Sequence, residues 1–249
     1  FIMHRTRSNN RHGIHSPFIY QLIDECIYGN GRIPNSIAQH FTKLKKDTTP
    51  INGMDLGLGR STIKTVGHYA RTASMPDFQA DLLYRLVEFL KPLSILELGT
   101  NLGKSTMTMR AGMPDSTVLS IEGNEALFEY SRSRLAEHSI ETLNLSFNQF
   151  FSKDSRTYDL VFVDGDHNLG PTLNYFKEIK KRLNSKGLII FHDINWSKGM
   201  KEAWARIKTD PDVRVTVDLY FMGLVWLDLP QEKQNFSIKF PERLTQIST

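Results

Sequence analysis

The run YDLVFV, residues 158–163, is apolar at nearly every position. A strand with one wet face alternates polar and apolar residues, so a run like this one reads as a strand covered on both faces, as in parallel sheets between helices. The surrounding chain supplies the helices. Residues 95–98 form a short apolar run, followed by a glycine turn and a helix from Lys104. Residues 117–121 predict a second strand and 124–137 a helix; residues 143–147 predict a third strand, and 158–163 is the fourth. A helix then starts near Pro171, with Leu173, Phe176, Ile179 and Leu183 on one side and Gly187 past its end. Residues 188–193 make a fifth strand and 199–210 another helix. Such alternation implies an α/β fold, a doubly wound Rossmann-like sheet. The runs at 213–220 and 223–227, with few residues between them, add a C-terminal antiparallel hairpin.

Upstream the pattern differs. SPFIYQLIDECIY reads as a helix with Ser16 as N-cap and Pro17 at its first position, and a second helix is expected over 36–46. The expected organisation is therefore an N-terminal helical appendage over residues 1–74, serving as a lid or a homodimer surface, and the α/β domain over 75–249. With 249 residues, 40% of them hydrophobic and 23% charged, the chain can bury a full core. No apolar run approaches the roughly 18 residues of a membrane span. The opening residues lack the apolar core of a secretory signal, and the single cysteine, Cys26, cannot form an internal disulfide. A cytoplasmic protein is the expectation. Charge is uneven: residues 1–75 hold ten Lys/Arg against four Asp/Glu. No aromatic-interleaved pattern accompanies this excess, so a solvated surface is preferred over nucleic-acid binding.

The turn SILELGTNLGKST, residues 94–106, carries the most chemistry. A phosphate-wrapping P-loop needs four residues between its glycines, and only three separate Gly99 from Gly103. The dinucleotide pattern fails too, for want of a second glycine at Thr100-Asn101. What remains is an acid at the strand end, Glu97, a tight turn at Gly99 and Thr100, and Gly103 opening a helix whose N-terminus faces a ligand. About twenty residues on, Glu122 ends the next strand, where an acid can take both hydroxyls of a ribose. These five residues form a nucleoside-binding set. The rival string MDLGLGRST, residues 54–62, has no such acid downstream and reads as a loop outside the sheet.

Two further polar groups fall at strand ends: Asp164-Gly165-Asp166-His167 after the fourth strand, and His192-Asp193 after the fifth. Neighbouring strands would bring Asp164 and Asp193 together, and converging carboxylates repel unless a cation or an amine sits between them. A hard divalent ion such as Mg²⁺ suits such oxygen ligands. The alternative for both residues is capping of the following turns.

In order and content, ILELGTNLGKST, LSIEGN, YDLVFVDGDH and LNSKGLIIFHDINW resemble the class I S-adenosylmethionine-dependent methyltransferases over about residues 75 to 228. The later motifs are most similar to bacterial small-molecule O-methyltransferases, including sugar-modifying ones, and more distantly to the catechol type. The resemblance implies S-adenosyl-L-methionine as cofactor, a small-molecule acceptor, and a methyl transfer to a hydroxyl oxygen. It implies Glu97 and Gly99 at the methionine end, Glu122 at the ribose, and Asn148 and Gln149 near the adenine. It also implies Asp164 and the pair His192-Asp193 as ligands of a divalent cation, with His167 as general base. The chain departs at His192, where those relatives carry a carboxylate; imidazole suits Zn²⁺ or Fe²⁺ better than Mg²⁺. Trp196 is expected to line the acceptor pocket, and Trp204 to be core. The alternatives are a catalytically silent S-adenosylmethionine-binding protein and an RNA methyltransferase.

Overall fold

In the computed structural model, which describes residues 16–55 and 60–241, the alternation becomes an eight-stranded sheet. Its central strands are β3 (Ser94–Leu98), β4 (Thr117–Glu122), β5 (Ile140–Asn144), β6 (Tyr158–Val163) and β7 (Leu183–His192), all mutually parallel. Next to β7 run β9 (Met222–Trp226), antiparallel to it, then β8 (Val215–Asp218), and at the edge β10 (Gln234–Ser237). The order β10-β8-β9-β7-β6-β3-β4-β5 places β3 between β6 and β4, the switch point at whose carboxyl side ligands gather in such sheets. The fold is the expected Rossmann-like one, with the expected late hairpin.

Strand residues alternate between two cores. On β6, Leu160 and Phe162 face one side while Val161 and Val163 face the other. The second side is covered by α7 (Phe147–Lys153), α8 (Leu169–Lys180) and α9 (Lys198–Thr209), through Phe150, Phe176 and Trp204 among others. The first is covered by α4 (Asp77–Leu90), α5 (Lys104–Gly112), α6 (Glu125–Glu137) and the N-terminal helices. Of these, α1 (Pro17–Leu22) is capped by Ser16, whose Oγ accepts from Ile19 N, and continues as a π-helical turn, Ile23–Ile27. Ile19, Leu22, Ile23 and Ile27 are fully buried in the same core as Leu82 and Leu224, and Phe18 meets Trp226 edge-on at 5.7 Å. Helix α1 and the π-helical turn after it are thus part of the sheet's own cover. Helix α2 (Asn35–Leu44) sits where the second helix was expected, and α3 (Val66–Thr72) leads into α4. No helix among the described residues is long and apolar enough to cross a membrane.

Three expectations are corrected. The third strand ends at Asn144, not at 147, because Ser146 and Gln149 close a reciprocal capping box and start α7 there. Leu183 opens β7 rather than closing the preceding helix; it pairs with Tyr158, and the register then jumps so that Leu160 faces Leu188. Its spacing from Ile179 had imitated a helical turn. MDLGLGRST is no simple loop: β1 (Pro50–Asp55) and β2 (Arg60–Thr65) form an antiparallel hairpin apart from the main sheet, and residues 56–59 lie outside the described residues. Edge strand β10 is an addition. Much of the basic stretch, residues 1–15, also lies outside the described residues.

Candidate active site

Three chain ends meet at Gly99. It follows β3 directly, donates its N–H to Ile121 O on β4, and has φ +108°. A Cβ there would stand 2.1 Å from the carbonyl oxygen of Asp164, so only glycine closes this turn. Gly103, at φ +84°, caps α5, and its Cβ would crowd Leu135 at 2.9 Å. Between them Asn101 takes φ +49° and donates its N–H to Glu122 Oε2 at 2.8 Å. The other oxygen of Glu122 accepts from Asn124 N at 2.8 Å. Burial pushes the Glu122 carboxyl upward, opposed by the backbone N–H groups of Asn124, Asn101, Thr100 and Gly123. Gly99, Thr100, Gly103 and Glu122 are thereby brought together as one turn.

Glu97 lies underneath that turn. It is fully buried, with Ser105 donating to it at 2.5 Å, Ser120 at 2.5 Å, and Thr106 donating as well. Thr100 extends the chain, its hydroxyl 2.5 Å from that of Ser120. Burial raises the Glu97 carboxyl to about 7 against the pull of these hydroxyls. Glu97 thus ties β3 to β4 and to the first turn of α5. Ser120 had a sequence signal, a serine inside an apolar strand two residues before Glu122.

Asn148 and Gln149 stand exposed on the first turn of α7. Gln149 spends its side chain on the capping box, and Asn148 Oδ1 accepts from Asn174 at 3.1 Å.

On the other side of Gly99, β6 and β7 run as neighbours, with Val163 opposite Phe191, so the residues that follow them converge. Asp164 donates its N–H to Leu98 O, and Asp193, at φ +55°, donates its own to Phe221 O. His192 closes β7 with its ring buried: Nδ1 lies 3.0 Å from Asp164 Oδ1, and Nε2 lies 2.6 Å from Gln79 Oε1. His167 Nε2 stands 3.7 Å from the same Asp164 oxygen, and its carbonyl accepts from Ser197, the N-cap of α9. One ligand atom each from Asp164, His167 and Asp193 fall within 4.8 Å of one another. This trio, two oxygens and a nitrogen, fits a divalent transition metal as well as Mg²⁺. His192 instead faces Asp164 and Gln79. Burial raises the Asp164 carboxyl, but His192 and then His167 outweigh it and hold it below the ordinary range. Burial lowers His192, and Asp164 and Asp193 reverse that, so its imidazole titrates above its ordinary value.

Trp196 is 73% exposed beside this cluster, its N–H bonded to Asp193 O, while Trp204 is core. One run of chain crosses both groups. Ala73 O accepts from Asn101 Nδ2; Met75 O and Asp77 hold Lys104 Nζ; Gln79 meets His192. Gln79 escaped the sequence, since 113 residues separate it from its partner.

A glycine turn at the switch point, an acid ending the next strand, and a carboxylate–imidazole cluster beyond the neighbouring strands all lie at the carboxyl ends of the parallel strands. Residues 96–194 match the family model described as a methyltransferase domain, and the chain shares the fold of solved methyltransferase structures. Solved structures of the same fold include the SAH-bound methyltransferase PaMTH1 of Podospora anserina, at 15% identity and TM-score 0.61, over 87% of this chain and 97% of that one. Another is the O-methyltransferase of Bacillus cereus in complex with SAH, at 18% identity and TM-score 0.57, over 77% and 91% of the two chains. A third is TomG of Streptomyces achromogenes, an O-methyltransferase involved in tomaymycin synthesis and solved with SAM, at 19% identity and TM-score 0.55, over 64% and 83%.

Proposed function

We propose that the protein is an S-adenosylmethionine-dependent O-methyltransferase that methylates a hydroxyl oxygen of a small molecule. The observation that carries this reading is the Asp164–His167–Asp193 cluster, placed directly across Gly99 from the nucleoside turn. Bound S-adenosylmethionine supplies a methyl group on a positively charged sulfur, open to in-line displacement by an oxygen. Gly99 and Gly103 permit the positive-φ turn along which the cofactor lies, at the start of α5. Glu122 accepts from the ribose hydroxyls with the lone pairs its backbone partners leave free. Asn148 and Gln149 flank the adenine end. Glu97 acts from below, holding Thr100 and α5 in place through the hydroxyl chain.

On the acceptor side, His167 takes the proton from the attacking hydroxyl, which leaves the oxygen pair free to form the new C–O bond as the C–S pair departs with sulfur. Asp164 and Asp193 would hold a divalent cation that would polarise that oxygen, leaving His167 free as the base. Trp196 offers an apolar face to the body of the acceptor. Most of the acceleration comes from fixing oxygen and methyl carbon in line, with the base adding to it. The sulfonium methyl is the only reacting part of the cofactor, so a free acceptor hydroxyl within reach of His167 is the one group the site must recognise.

The test has two stages. Calorimetry should detect binding of S-adenosylmethionine, and its absence would overturn the reading. Transfer of a radiolabelled methyl group should then go to a small-molecule extract and not to total RNA. Label in RNA would overturn the acceptor class, and label in neither would leave a cofactor-binding protein without catalysis.

A further inference from the structure

Gln79 sits in the first turn of α4, buried, with its Oε1 2.6 Å from His192 Nε2. Across the same ring, Nδ1 lies 3.0 Å from Asp164 Oδ1 and 3.7 Å from Asp193 Oδ2. The hydrogen bond at one imidazole nitrogen decides what the other nitrogen can do. A carboxamide can accept or donate and carries no charge. It therefore partners Nε2 without adding a third negative group beside Asp164 and Asp193. The arm that carries it is held as well: Lys104, buried at the start of α5, grips Met75 O at 2.6 Å and Asp77 at 2.5 Å, just before Gln79.

We propose that Gln79 is a positioning residue that holds the His192 ring with Nδ1 aimed at Asp164 Oδ1. That contact fixes the plane of the Asp164 carboxylate and so sets how it faces His167 and Asp193. The Gln79 side chain is hydrogen-bonded to His192 and to neither of those two residues, so it acts through His192. The proposal rests on the cation reading of the cluster only in its metal-binding arm, since the ring position can be observed without any metal.

Crystal structures and Mn²⁺ titrations of the wild type, Gln79→Met and Gln79→Glu test it. The methionine fills the same space but offers Nε2 no partner. Its His192 ring should turn so that the Nδ1–Asp164 contact is lost, Mn²⁺ affinity should drop about tenfold or more, and S-adenosylmethionine affinity should be unchanged. The glutamate keeps an accepting oxygen and should restore the ring position, a rescue that a space-filling role would not give. A His192 ring still at hydrogen-bond distance from Asp164 in Gln79→Met overturns the proposal. If that variant does not fold, Gln79→Asn, whose arm is too short to reach, should show the same loss of contact, and an unmoved ring there overturns the proposal equally. A wild type that takes up no Mn²⁺ overturns the cation reading instead, and the ring position then decides the role of Gln79 alone.

Discussion

At the end of β3, Glu97 is closed off by hydroxyl donors, and at the end of β4 Glu122 takes one backbone N–H on each oxygen, whereas beyond β6 and β7 the side chains of Asp164 and Asp193 stay 23% and 31% exposed. The first pair shapes a turn, and nearly every acceptor position on Glu97 already has its donor. In the second pair the close neighbours are imidazoles, which can give up or take protons. A carboxylate saturated with donors works as part of the frame, while one left with free lone pairs can bind a cation or hold a proton. The two halves meet at Gly99, which leaves no room for a Cβ against the Asp164 carbonyl.

The sharpest way to break the contrast is at that joint. Gly99→Ala combines a Cβ at 2.1 Å from backbone oxygen with a φ of +108°, so both halves should fail together. Unfolding by denaturant should show a loss of roughly 3 kcal/mol or more, the upper range for single substitutions, and calorimetry should find no cofactor binding. Retained binding in a stable variant would mean that the turn is looser than its geometry.

Asp193→Asn should separate the halves. Turnover should fall on the order of a hundredfold, since a bound cation contributes several kcal/mol of charge stabilisation, while cofactor affinity holds. Chelator should reproduce the effect in the wild type and added Mg²⁺ or Mn²⁺ should reverse it. A fully active variant in the presence of chelator would leave His167 acting without a metal.

Glu97 gives the frame a pH signature. Its carboxyl is raised to about 7 in the folded chain. The folded state therefore holds a proton that the unfolded chain has lost, and stability declines as pH climbs from the unfolded value toward 7. The slope is at most about 1.4 kcal/mol per pH unit. Glu97→Gln should flatten the stability profile over that window; equal slopes in denaturation series at pH 5, 6 and 7 would place the titration elsewhere. The smallest effect is expected at Glu122→Ala, which removes a charged acceptor for two ribose hydroxyls. Charged hydrogen bonds are worth roughly 1.5–3 kcal/mol, so cofactor affinity measured by calorimetry should fall about tenfold or more. Unchanged affinity in a folded variant would put the ribose elsewhere.

Legibility in the sequence follows the same division. Gly99, Gly103 and Glu122 could be read because their work is local: positive φ, a turn, and an acid at a strand end. β6 could be read because burial on both faces leaves a single polar position, Asp159. β5 was misplaced because Phe147 extended its apolar look, although Ser146-x-x-Gln149 is a helix-start signature. β10, QNFS, is polar and lies at the edge, so it carries no strand pattern. Pairing of Asp164 with Asp193 followed from strand adjacency, but the separate orientations of His167 and His192 are side-chain facts. The contact to Gln79 comes from α4, and nothing nearby in sequence announces it.

The run from Ala73 to Gln79 places a constraint on how such a chain can change. Two of its contacts are offered by main-chain carbonyls, those of Ala73 and Met75, which any residue supplies. Substitution at those two positions leaves the oxygens in place, but inserting or deleting one residue shifts every later contact off its partner. Asn101 and Lys104 at one end, and His192 at the other, would then no longer be served by the same stretch. What this stretch must keep through drift or engineering is its length, so a hybrid joining this N-terminal segment to another sheet should be cut before residue 73.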